Sequence, residues 1–589
     1  MARIVPDFLE ERAAVHGDRP ALRAKVAGGW RTWTWRDYRE EAHRFGRALV
    51  ASGVEPGKGV AIMSYNRPEW FLADQGAIAA GAYPVGVYTN LVAEQVGYVL
   101  GHSESRVAVV ENRDHLEKVL AVRGELPELE TLVLLEGAGD EPGVVGWEAF
   151  VARGDAVPAA DLAARLAAQR PDDTCTLIYT SGTTGPPKGV MQTHRNLVWN
   201  ATTVVGEFTV GPEHDVVSYL PLAHSAEQII SLYFPLASGM CSWFAESLER
   251  IGENLREVRP HIFFGVPRVW EKMQAAIQEA GARNPPLERR IAAWARRIGL
   301  EAGYAEEQGE ALPRFHPLAR RLVFDKVRQR LGLDRAQICA SGAAPLALDT
   351  AEFFLSLGIN IMVAYGLTET TAPASVSIPG RSRVGWSGYV LPGSEMRTAP
   401  DGEIFVRGPH IFKGYYKDPE ATREVLADDG WFATGDVGEV DAEGFVRITD
   451  RKKELIVTSG GKNVAPQVLE ARFKAIPGIE HAVVLGDRRN YLTALFTLEP
   501  RAAATAAQAV GSPARELGEL AEDALFRRWL EERVAEVNAT LARYETIKTF
   551  RVLPATFSVE GGELTPTLKL KRRVIHEKYG REIESLYAA

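Results

Sequence analysis

The sequence predicts an α/β fold with a large N-terminal domain of layered β-sheets and helices and a small C-terminal α+β domain. Over residues 30–150, apolar strand-like runs alternate with helical patterns, which is typical of parallel sheets covered by helices. The charge cluster Asp450–Glu454 interrupts two β-like runs, and a segment of some 135 residues with its own alternating pattern follows it. The 589 residues are enough for about three to four folding units.

The first elements follow from this alternation. The predicted strands are Val60–Met63, Tyr83–Val87, Val107–Val110 and Leu132–Leu135. The predicted helices are Arg36–Ser52, Pro68–Ala80 and Glu94–His102. The alanine-rich run Ala156–Gln169 predicts a helix or a linker, and the apolar run Thr174–Tyr179 predicts the next strand.

The stretch Tyr179–Met191, YTSGTTGPPKGVM, carries the strongest chemical signal. Its glycines can adopt positive φ, so successive backbone N–H groups can converge on an anion. Lys188 adds a positive charge, and hydroxyl groups come from Thr180, Ser181, Thr183 and Thr184. Such a loop suits a polyphosphate. A P-loop ATPase or GTPase is disfavoured, because that motif places its lysine directly after a glycine and before Ser or Thr.

Further candidate residues follow predicted strands. His224 follows a short strand that ends at Pro221, in SYLPLAHSAEQ, and either a structural or a functional histidine fits there. Ile338–Leu346 predicts a strand that runs into a turn of small residues, where a flat ring can approach the backbone. Ile359–Ala364 predicts a buried strand that ends in YGLTETT. Ligands bind at the carboxyl ends of parallel strands, so Tyr365 could stack on a base and Glu369 could hold a cation.

The rest of the chain is less specific. The Arg- and Glu-rich residues 281–335 predict a solvated helical excursion, and residues 384–449 predict short antiparallel strands. Asp450–Glu454 is interpreted as an exposed turn, and Leu564–Arg573, LTPTLKLKRR, as a basic loop.

Composition excludes several classes of protein. A formal charge of −9 and a pI of about 5.9 argue against a nucleic-acid partner. Cys175, Cys241 and Cys339 form no C-x-x-C motif, which fits a reducing cytosol. The N-terminus lacks the pattern of a signal peptide, and the longest uncharged window, Gln75–Ala93, is too polar for a membrane span. A cytoplasmic protein is expected; peripheral membrane contact and homodimer formation stay open.

Five blocks stand in one order along the chain: the phosphate loop, PLAH, YGLTET, TGDVG followed by DRKKELIVTSGGKNVAP, and TPTLK. In this order they resemble the adenylate-forming superfamily. Two strings, LARYETIKTFRVLP at 541–554 and ELTPTLKLKRR at 563–573, are similar to its long-chain fatty acyl-CoA synthetase branch. The resemblance implies the adenylate-forming synthetase fold, with an N-terminal domain at 1–449, a hinge at 450–453 and a mobile C-terminal lid at 454–589.

The resemblance also implies roles for individual residues. Thr180 and Glu369 correspond to residues that contact Mg²⁺. ATP or AMP would contact Ser181, Gly182, Thr183, Thr184, Gly185, Lys188, Gly342, Ala343, Ala344, Tyr365, Gly366, Thr368, Thr370, Asp436 and Arg451. Within this set, Asp436 and Arg451 correspond to the ribose contacts and Thr370 to an α-phosphate contact. His224 and Gly460 correspond to the acyl and CoA side, Lys453 to the hinge and Lys569 to the adenylation lysine.

The implied reaction activates a fatty acid with ATP and Mg²⁺ to acyl-AMP, releases pyrophosphate and transfers the acyl group to coenzyme A. Two departures stand out: Leu568 replaces the glycine that many relatives have before the lysine, with Lys571 two residues away, and Gln228 stands where some relatives have a bulky aromatic. Three alternatives stay open: an acyl-AMP ligase that loads a carrier protein or stops at the adenylate, a luciferase-like monooxygenase, and a non-catalytic nucleotide-binding relative.

Overall fold

The computed structural model describes residues 3–137, 139–180, 186–565 and 569–588. The strands in chain order are β1 Pro20–Val26, β2 Gly29–Thr34, β3 Gly59–Met63, β4 Tyr83–Gly86, β5 Ser105–Val110, β6 Thr131–Leu134, β7 Val144–Gly146, β8 Thr174–Thr180, β9 Lys188–Thr193, β10 Asp215–Ser218, β11 Cys241–Phe244, β12 Ile262–Phe264, β13 Ile338–Ser341, β14 Ile361–Leu367, β15 Ala372–Val376, β16 Tyr389–Val390, β17 Glu395–Thr398, β18 Glu403–Arg407, β19 Gly414–Tyr415, β20 Phe432–Val440, β21 Val446–Arg451, β22 Ile456–Val457, β23 Asn463–Val464, β24 Ile479–Leu485, β25 Leu492–Leu498 and β26 Ile547–Val552.

The α-helices in chain order are α1 Val5–His16, α2 Trp35–Ala51, α3 Pro68–Ala79, α4 Ala93–His102, α5 Arg113–Val122, α6 Trp147–Ala152, α7 Ala159–Ala168, α8 His194–Phe208, α9 Ser225–Glu227, α10 Phe234–Ser238, α11 Ile251–Val258, α12 Pro267–Ala282, α13 Pro286–Gln308, α14 His316–Ala319, α15 Asp325–Leu331, α16 Leu348–Leu355, α17 Pro419–Val425, α18 Pro466–Lys474, α19 Pro500–Ala509, α20 Leu517–Glu522, α21 Ala524–Asn538, α22 Arg572–Lys578 and α23 Gly580–Ser585. Short 3₁₀ or π segments are Arg123–Glu125, Arg153–Ala156, Gln228–Tyr233, Arg320–Phe324 and Thr368–Thr370.

Two large sheets organise the N-terminal domain. Within the described residues, one has nine strands in the order β16-β15-β14-β13-β12-β10-β11-β1-β2, and the other has eight in the order β19-β9-β8-β4-β3-β5-β6-β7. The central strands of both sheets pair in parallel, while β8–β9 and β14–β15 pair antiparallel. Connections between parallel strands bring loops to their carboxyl ends, where ligands bind in such sheets.

Helices α2 and α3 belong to the largest apolar core of this domain. All side chains of α3 are buried except the partly exposed Glu69, as expected of a helix that is apolar all round. Two glycines allow the helix backbones to touch, because a Cβ on Gly76 would lie 2.5 Å from the carbonyl oxygen of Ala42, and one on Gly46 would lie 2.9 Å from that of Gly76.

The C-terminal domain has its own core and its own sheet. Its three longer strands pair in the order β24-β25-β26, and β22 pairs with β23. The side chains of one apolar cluster all come from residues 456–552, including Phe473, Phe496 and Phe526. The predicted α/β class, with a large N-terminal and a small C-terminal domain, is therefore confirmed.

The predicted elements before residue 210 agree with the structure to within a residue or two at most ends; Ala156–Gln169 contains a helix, α7. The helical excursion and the antiparallel strands, β17-β18-β20-β21, are also present. Three details differ. β14 continues through Leu367, because Ala364–Leu367 pair with β15, and β10 ends at Ser218 rather than Pro221. Asp450 is buried at the end of β21 and not in an exposed turn, although Lys452 and Lys453 are exposed. Among the described residues, no helix combines the length and apolar character that a bilayer span requires.

A carboxyl group in the N-terminal core has no cationic partner among the described residues. Asp74 is fully buried; its Oδ2 accepts a 2.8 Å hydrogen bond from Gln75, and its Oδ1 has no partner among the described residues. Burial raises the pKa of Asp74 to about 8, and the Gln75 amide opposes this only in part. The folded protein therefore binds this proton more tightly than the unfolded chain does.

We predict that Asp74→Asn prevents the loss of stability that the wild-type protein undergoes as the pH rises. Because the folded-state pKa is raised, wild-type stability falls as the pH rises from about 4 to about 8. The neutral amide cannot ionise, so the variant should be more stable than wild type at pH 8.5–9 by on the order of 1–3 kcal/mol. Thermal unfolding between pH 6 and 9 measures this. Asp140→Asn, at an exposed aspartate, is the control; parallel pH profiles for wild type and Asp74→Asn would contradict the prediction.

Candidate active site

A cavity of about 2710 Å³ lies between the strand ends of the N-terminal domain and the C-terminal domain. Residues of both domains line it, including the end of β8, the end of β14 and the loop before α22. The described residues that the sequence predicted for the site and that line this cavity are Thr180, Lys188, His224, Gly342, Ala343, Ala344, Tyr365, Gly366, Thr368, Glu369, Asp436, Arg451, Lys453 and Lys569. Residues distant in the chain thus share one space.

The predicted phosphate loop joins β8 to β9. Thr180 and Lys188 face each other across this antiparallel pair, so both ends of the loop are fixed by the sheet. Ser181, Gly182, Thr183, Thr184 and Gly185 lie outside the described residues.

Two side chains of α4 also hold the ends of the loop. Tyr98 donates a 3.0 Å hydrogen bond to the carbonyl oxygen of Pro187, and the Tyr179 hydroxyl lies 2.7 Å from His102 Nδ1. The Tyr98 and His102 rings stack on each other at 5.3 Å. Sequence reasoning did not select α4, because its contacts with the loop are not visible in local sequence.

Tyr415 brings the lysine and the acidic residue of the site together. Its hydroxyl donates a 2.8 Å hydrogen bond to Glu369 Oε1, and Lys188 Nζ lies 4.6 Å from its ring centroid. Sequence reasoning missed Tyr415, which reaches the site only because β19 pairs with β9.

The turn after β13 is shaped for close approach. Ala343 has a φ of 67°, which is uncommon for a residue other than glycine. A Cβ on Gly342 would lie 2.9 Å from the carbonyl oxygen of Ala364. A Cβ on Gly366 would lie 1.7 Å from the carbonyl oxygen of Ala372, so the β14–β15 contact itself requires that glycine.

Asp436, which is buried, forms an ion pair at the cavity wall with Arg451, whose side chain is 40% exposed. Asp436 lies opposite Arg451 in the β20–β21 register, and Arg451 Nε lies 2.7 Å from Asp436 Oδ1. The Tyr365 hydroxyl donates a 2.7 Å hydrogen bond to Asp436 Oδ2. Burial raises the pKa of Asp436, while the Arg451 charge and the Tyr365 hydroxyl oppose that rise. Tyr365, predicted to stack on a base, is thus also fixed by its hydroxyl.

Thr368 and Thr370 differ in position. Thr368 lines the cavity, and its hydroxyl lies 3.3 Å from that of Ser225. Thr370, predicted as a phosphate contact, is fully buried and does not line the cavity. Its hydroxyl accepts from Leu367 N–H and donates to the carbonyl oxygen of Ala372, both at 2.8 Å. The predicted phosphate contact of Thr370 stays a prediction; in this structure its hydroxyl closes the turn after β14.

His224 caps the short helix α9. Its Nδ1 accepts a 3.2 Å hydrogen bond from Ala226 N–H. Burial, and then the charge of Lys569, lower the pKa of His224 to about 4, so the imidazole is neutral at pH 7. Glu227 fixes the same segment by accepting from the Ser218 hydroxyl at 2.7 Å and the Tyr219 N–H at 3.1 Å.

Lys569 enters the cavity from the C-terminal domain. Its carbonyl oxygen accepts from Thr565 N–H at 2.8 Å, and the residue lines the cavity and is exposed there. Desolvation by the surrounding protein, and then the charge of Arg451, lower the pKa of Lys569, while Asp436, Glu454 and Glu369 oppose this. Lys571 does not line the cavity, so the structure favours Lys569 over the neighbouring candidate.

A second charge network supports the loop of Lys569. Arg572 donates to Glu454 at 3.2 Å and to Glu470 at 2.6 Å. Glu470 is buried, which raises its pKa to about 7. Asp450 of β21 accepts from Gln467 N–H at the start of α18 at 3.1 Å. Arg572 follows the predicted lysine by three residues, but its buried partners could not be read from the sequence.

Two predicted residues on the C-terminal side are exposed, and only Lys453 of the two lines the cavity. Gly460 is exposed in the β22–β23 turn and does not line the cavity. Lys453 is exposed between β21 and β22. The predicted hinge at 450–453 and CoA passage stay predictions.

Two ion pairs join the domains across the cavity rim. On α12, Arg268 contacts the Glu480 carboxylate, and Glu271 lies 3.4 Å from Lys474 of α18. Thr556 also donates to Glu480 at 2.7 Å. The charges are complementary in this arrangement of the domains.

An apolar branch of the cavity runs along the nine-stranded sheet. It follows β12 and β13 from Phe264 and Ala340 to Ile262 and Ile338. Its other lining side chains include Val204, Val205, Phe208, Val210, Ile230, Phe234, Met240 and Val376. No aromatic gate stands at Gln228, which is buried and donates to the carbonyl oxygen of Leu222 at 2.8 Å.

Solved structures with this fold support the architecture. The chain matches the anthranilate CoA ligase AuaEII in complex with anthranoyl-AMP with a TM-score of 0.75 and 21% identity, over 99% of this chain and 98% of that one. It matches the adenylation domain of a carboxylate reductase from Mycobacterium chelonae with a TM-score of 0.77 and 23% identity, over 100% and 92%.

Sequence relatives are closer. The chain is 37% identical to the long-chain-fatty-acid–CoA ligase ACSBG2 of Xenopus laevis, over 99% of this chain and 83% of the relative. It is 34% identical to the human protein of that name, over 99% and 92%. The family model "AMP-binding enzyme" matches residues 9–416, and "AMP-binding enzyme C-terminal domain" matches residues 453–589. The chain therefore belongs to the AMP-binding, or adenylate-forming, enzyme family.

Proposed function

We propose that this enzyme is an AMP-forming acid–thiol ligase that activates a long-chain fatty acid. ATP and the carboxylate give acyl-AMP and pyrophosphate, and the thiol of coenzyme A then takes the acyl group and releases AMP. Family membership and the names of the relatives support ATP use and fatty-acid activation. The carrying observation is that Lys569 and the pair Asp436–Arg451 line the same cavity as an apolar branch.

The first step must bring two anions together. A carboxylate attacks the α-phosphate, so cationic groups have to offset repulsion where negative charge develops. Lys569 can supply that charge from the C-terminal domain, and Lys188 supplies another from the base of the phosphate loop. Asp436 can accept hydrogen bonds from ribose hydroxyls, since Arg451 and Tyr365 already hold its carboxylate in place.

The donor set fits Mg²⁺. Thr180 and Glu369 would hold it together with ATP phosphates, and Tyr415 fixes Glu369 through one oxygen only. Mg²⁺ commonly takes one or two protein oxygens plus substrate phosphates, which agrees with the absence of a larger acidic or histidine cluster among the described residues. Bound there, the ion would neutralise phosphate charge.

The apolar branch supports an aliphatic substrate. Burial of each CH₂ contributes about 0.8 kcal/mol, so a chain that fills the branch along β12 and β13 gains affinity with length. His224, neutral at pH 7, lines the cavity near Lys569. A neutral imidazole there avoids a second positive charge beside the lysine.

The second step needs Lys569 withdrawn and a path for the thiol. Rotation of the C-terminal domain about Lys453 would do both and would bring Gly460 to the cavity. We propose a reducing, cytosolic setting, supported by three free, buried cysteines. Homodimer formation stays a prediction.

We predict the formation of AMP, pyrophosphate and acyl-CoA from ATP, coenzyme A and fatty acid. AMP release is measured for acids from acetate to about C20, each with and without coenzyme A. Apparent affinity should rise with each methylene until the apolar branch is full. ADP and phosphate as products would refute the ligase assignment. If the acyl product forms only when a carrier protein is supplied, the alternative of an acyl-AMP ligase that loads a carrier protein is favoured.

We predict that Lys569→Ala slows adenylation by about 10²–10³, comparable to the loss of one preorganised electrostatic donor. Supplied acyl-AMP should still become acyl-CoA at a near wild-type rate, because the repulsion between anions has already been overcome. Lys571→Ala is the matched control, since Lys571 does not line the cavity. If Lys571→Ala abolishes adenylation while Lys569→Ala spares it, the two assignments must be exchanged.

We predict that Arg268→Glu lowers kcat/KM for adenylation by about tenfold, and that adding Glu480→Arg restores most of it. The pair aligns the domain that carries Lys569, and close charge pairs commonly couple by 0.5–3 kcal/mol. Conversion of supplied acyl-AMP should change little. The exposed pair Arg407–Glu395, reversed in the same way, is the control. Equal loss in both half-reactions would assign the pair a purely structural role.

A further inference from the structure

A band of exposed apolar side chains lies on the helical excursion, outside the cavity. Its members are Leu287, Leu312, Phe315, Leu318 and Leu322, which are 69%, 45%, 51%, 48% and 39% exposed. We call these five residues the apolar band. Large apolar side chains exposed together, rather than singly, commonly mark a surface that meets a partner.

The band does not face the core of the protein. Phe315, Leu318 and Leu322 are spaced by three and four residues, so they share one side of the helical segment His316–Leu331. The buried side of that segment is formed by Ala319 and Phe324. The segment is therefore apolar on two sides, and only one of them is covered.

The two long helical pieces of the excursion contribute to one surface. The Trp294 ring of α13 meets the Phe315 ring at 6.4 Å in an edge-on contact. Ala295 and Ile298 of α13 pack in one cluster with Ala319 and Phe324. The band therefore begins where the two pieces are in contact.

Unpaired cations accompany the band. Residues 309–331 carry six Lys and Arg against two Asp and Glu, in a chain whose formal charge is −9. Of these six, Arg320 pairs with Asp325 at 3.2 Å and Arg328 donates to backbone carbonyls. Residues 286–331 are all described, and within them the cationic side chains that have no ion pair with a carboxylate are Arg289, Arg290, Arg296, Arg297, Arg314, Arg321, Lys326, Arg328 and Arg330. Of these, Arg296 donates to the Ser356 hydroxyl.

We propose that this face docks on the surface of an anionic lipid bilayer. Leucine and phenylalanine side chains insert at the boundary between headgroups and acyl chains, while arginine and lysine meet lipid phosphates. The negative charge of the remaining protein turns other faces away from such a surface, which orients the molecule. A lipid surface is favoured over a protein partner because the cations flank the apolar stripe along one helix, the arrangement of interfacial helices. The proposal goes beyond the proposed function, and its binding test does not depend on catalysis.

The test is sedimentation of the full-length protein with vesicles of phosphatidylcholine alone or with one quarter phosphatidylglycerol. We expect binding to the anionic vesicles, weakened by added salt. Arg321→Gln with Lys326→Gln should weaken it by ~30-fold, from about a fivefold contribution per cation near the surface. Leu318→Ser with Leu322→Ser should weaken it by at least ~10-fold. Leu525→Ser with Arg528→Gln, at an exposed leucine and an arginine of α21 in the C-terminal domain, is the matched control and should bind like wild type.

A second measurement reports insertion directly. The three native cysteines are buried, so Leu318→Cys can be labelled selectively with an environment-sensitive fluorophore, and its emission should shift to the blue on anionic vesicles. The proposal is overturned if wild type does not bind, if neutral vesicles bind equally well, if the two double variants retain binding, or if the label shows no shift. It is also overturned if the wild-type protein is a dimer and the Leu318→Ser/Leu322→Ser variant is a monomer. The face would then be an interface between copies of this chain.

Discussion

The site depends on the electrostatic interaction between Lys569 and the charged groups that the N-terminal domain collects at its strand ends. The lysine approaches a wall on which Asp436, Arg451 and Glu369 are already fixed by partners. Asp436 is buried in that wall, so its charge interacts more strongly with its partners than it would at an open surface. The pKa of Lys569 is lowered in the cavity, first by desolvation and then by the charge of Arg451. Two substrate anions would oppose both effects, so we propose that the arrangement with Lys569 in the cavity is most favourable when the reactants are bound.

The scaffold holds the two sides of this interaction separately. The groups on the N-terminal side lie on paired strands, β8–β9, β14–β15 and β20–β21, whose registers fix them independently of the C-terminal domain. The C-terminal domain has a core of its own and contributes one loop, braced by Arg572 between Glu454 and Glu470. Contacts between the domains, such as Arg268–Glu480 and Glu271–Lys474, are polar and lie at the cavity rim. Polar, partly solvated contacts can be exchanged for water at small cost, whereas a shared apolar core could not.

The sequence predicted what depends on local chemistry and missed what depends on long-range pairing. The Gly/Thr loop, the acid in YGLTET and the lysine in TPTLK are each visible in a short string, and strand–helix alternation gave the fold class. Tyr415 and Arg572 act through partners far away in the chain, so no local pattern marks them. Thr370 was predicted as a phosphate contact, but a hydroxyl next to Glu369 can equally face a ligand or close its own turn, and in this structure it donates to the carbonyl oxygen of Ala372. The stripe Phe315, Leu318, Leu322 has the spacing of a core-facing helix, and the burial of its opposite side shows that it faces outward.

The apolar band faces outward, whereas the apolar branch lines the cavity, and the two lie on different parts of the fold. Residues of α8 and of the nine-stranded sheet line the apolar branch of the cavity, whereas the band lies on the helices that follow α12 in the chain. An aliphatic acid with a polar head partitions between water and a bilayer, so an enzyme that binds such acids gains from being close to the lipid surface. The excursion contributes no residue to the described lining of the cavity or to the ion pairs between the domains. Docking by this face is therefore compatible with the proposed two-step reaction, in which the C-terminal domain would rotate while the N-terminal domain stays on the lipid surface.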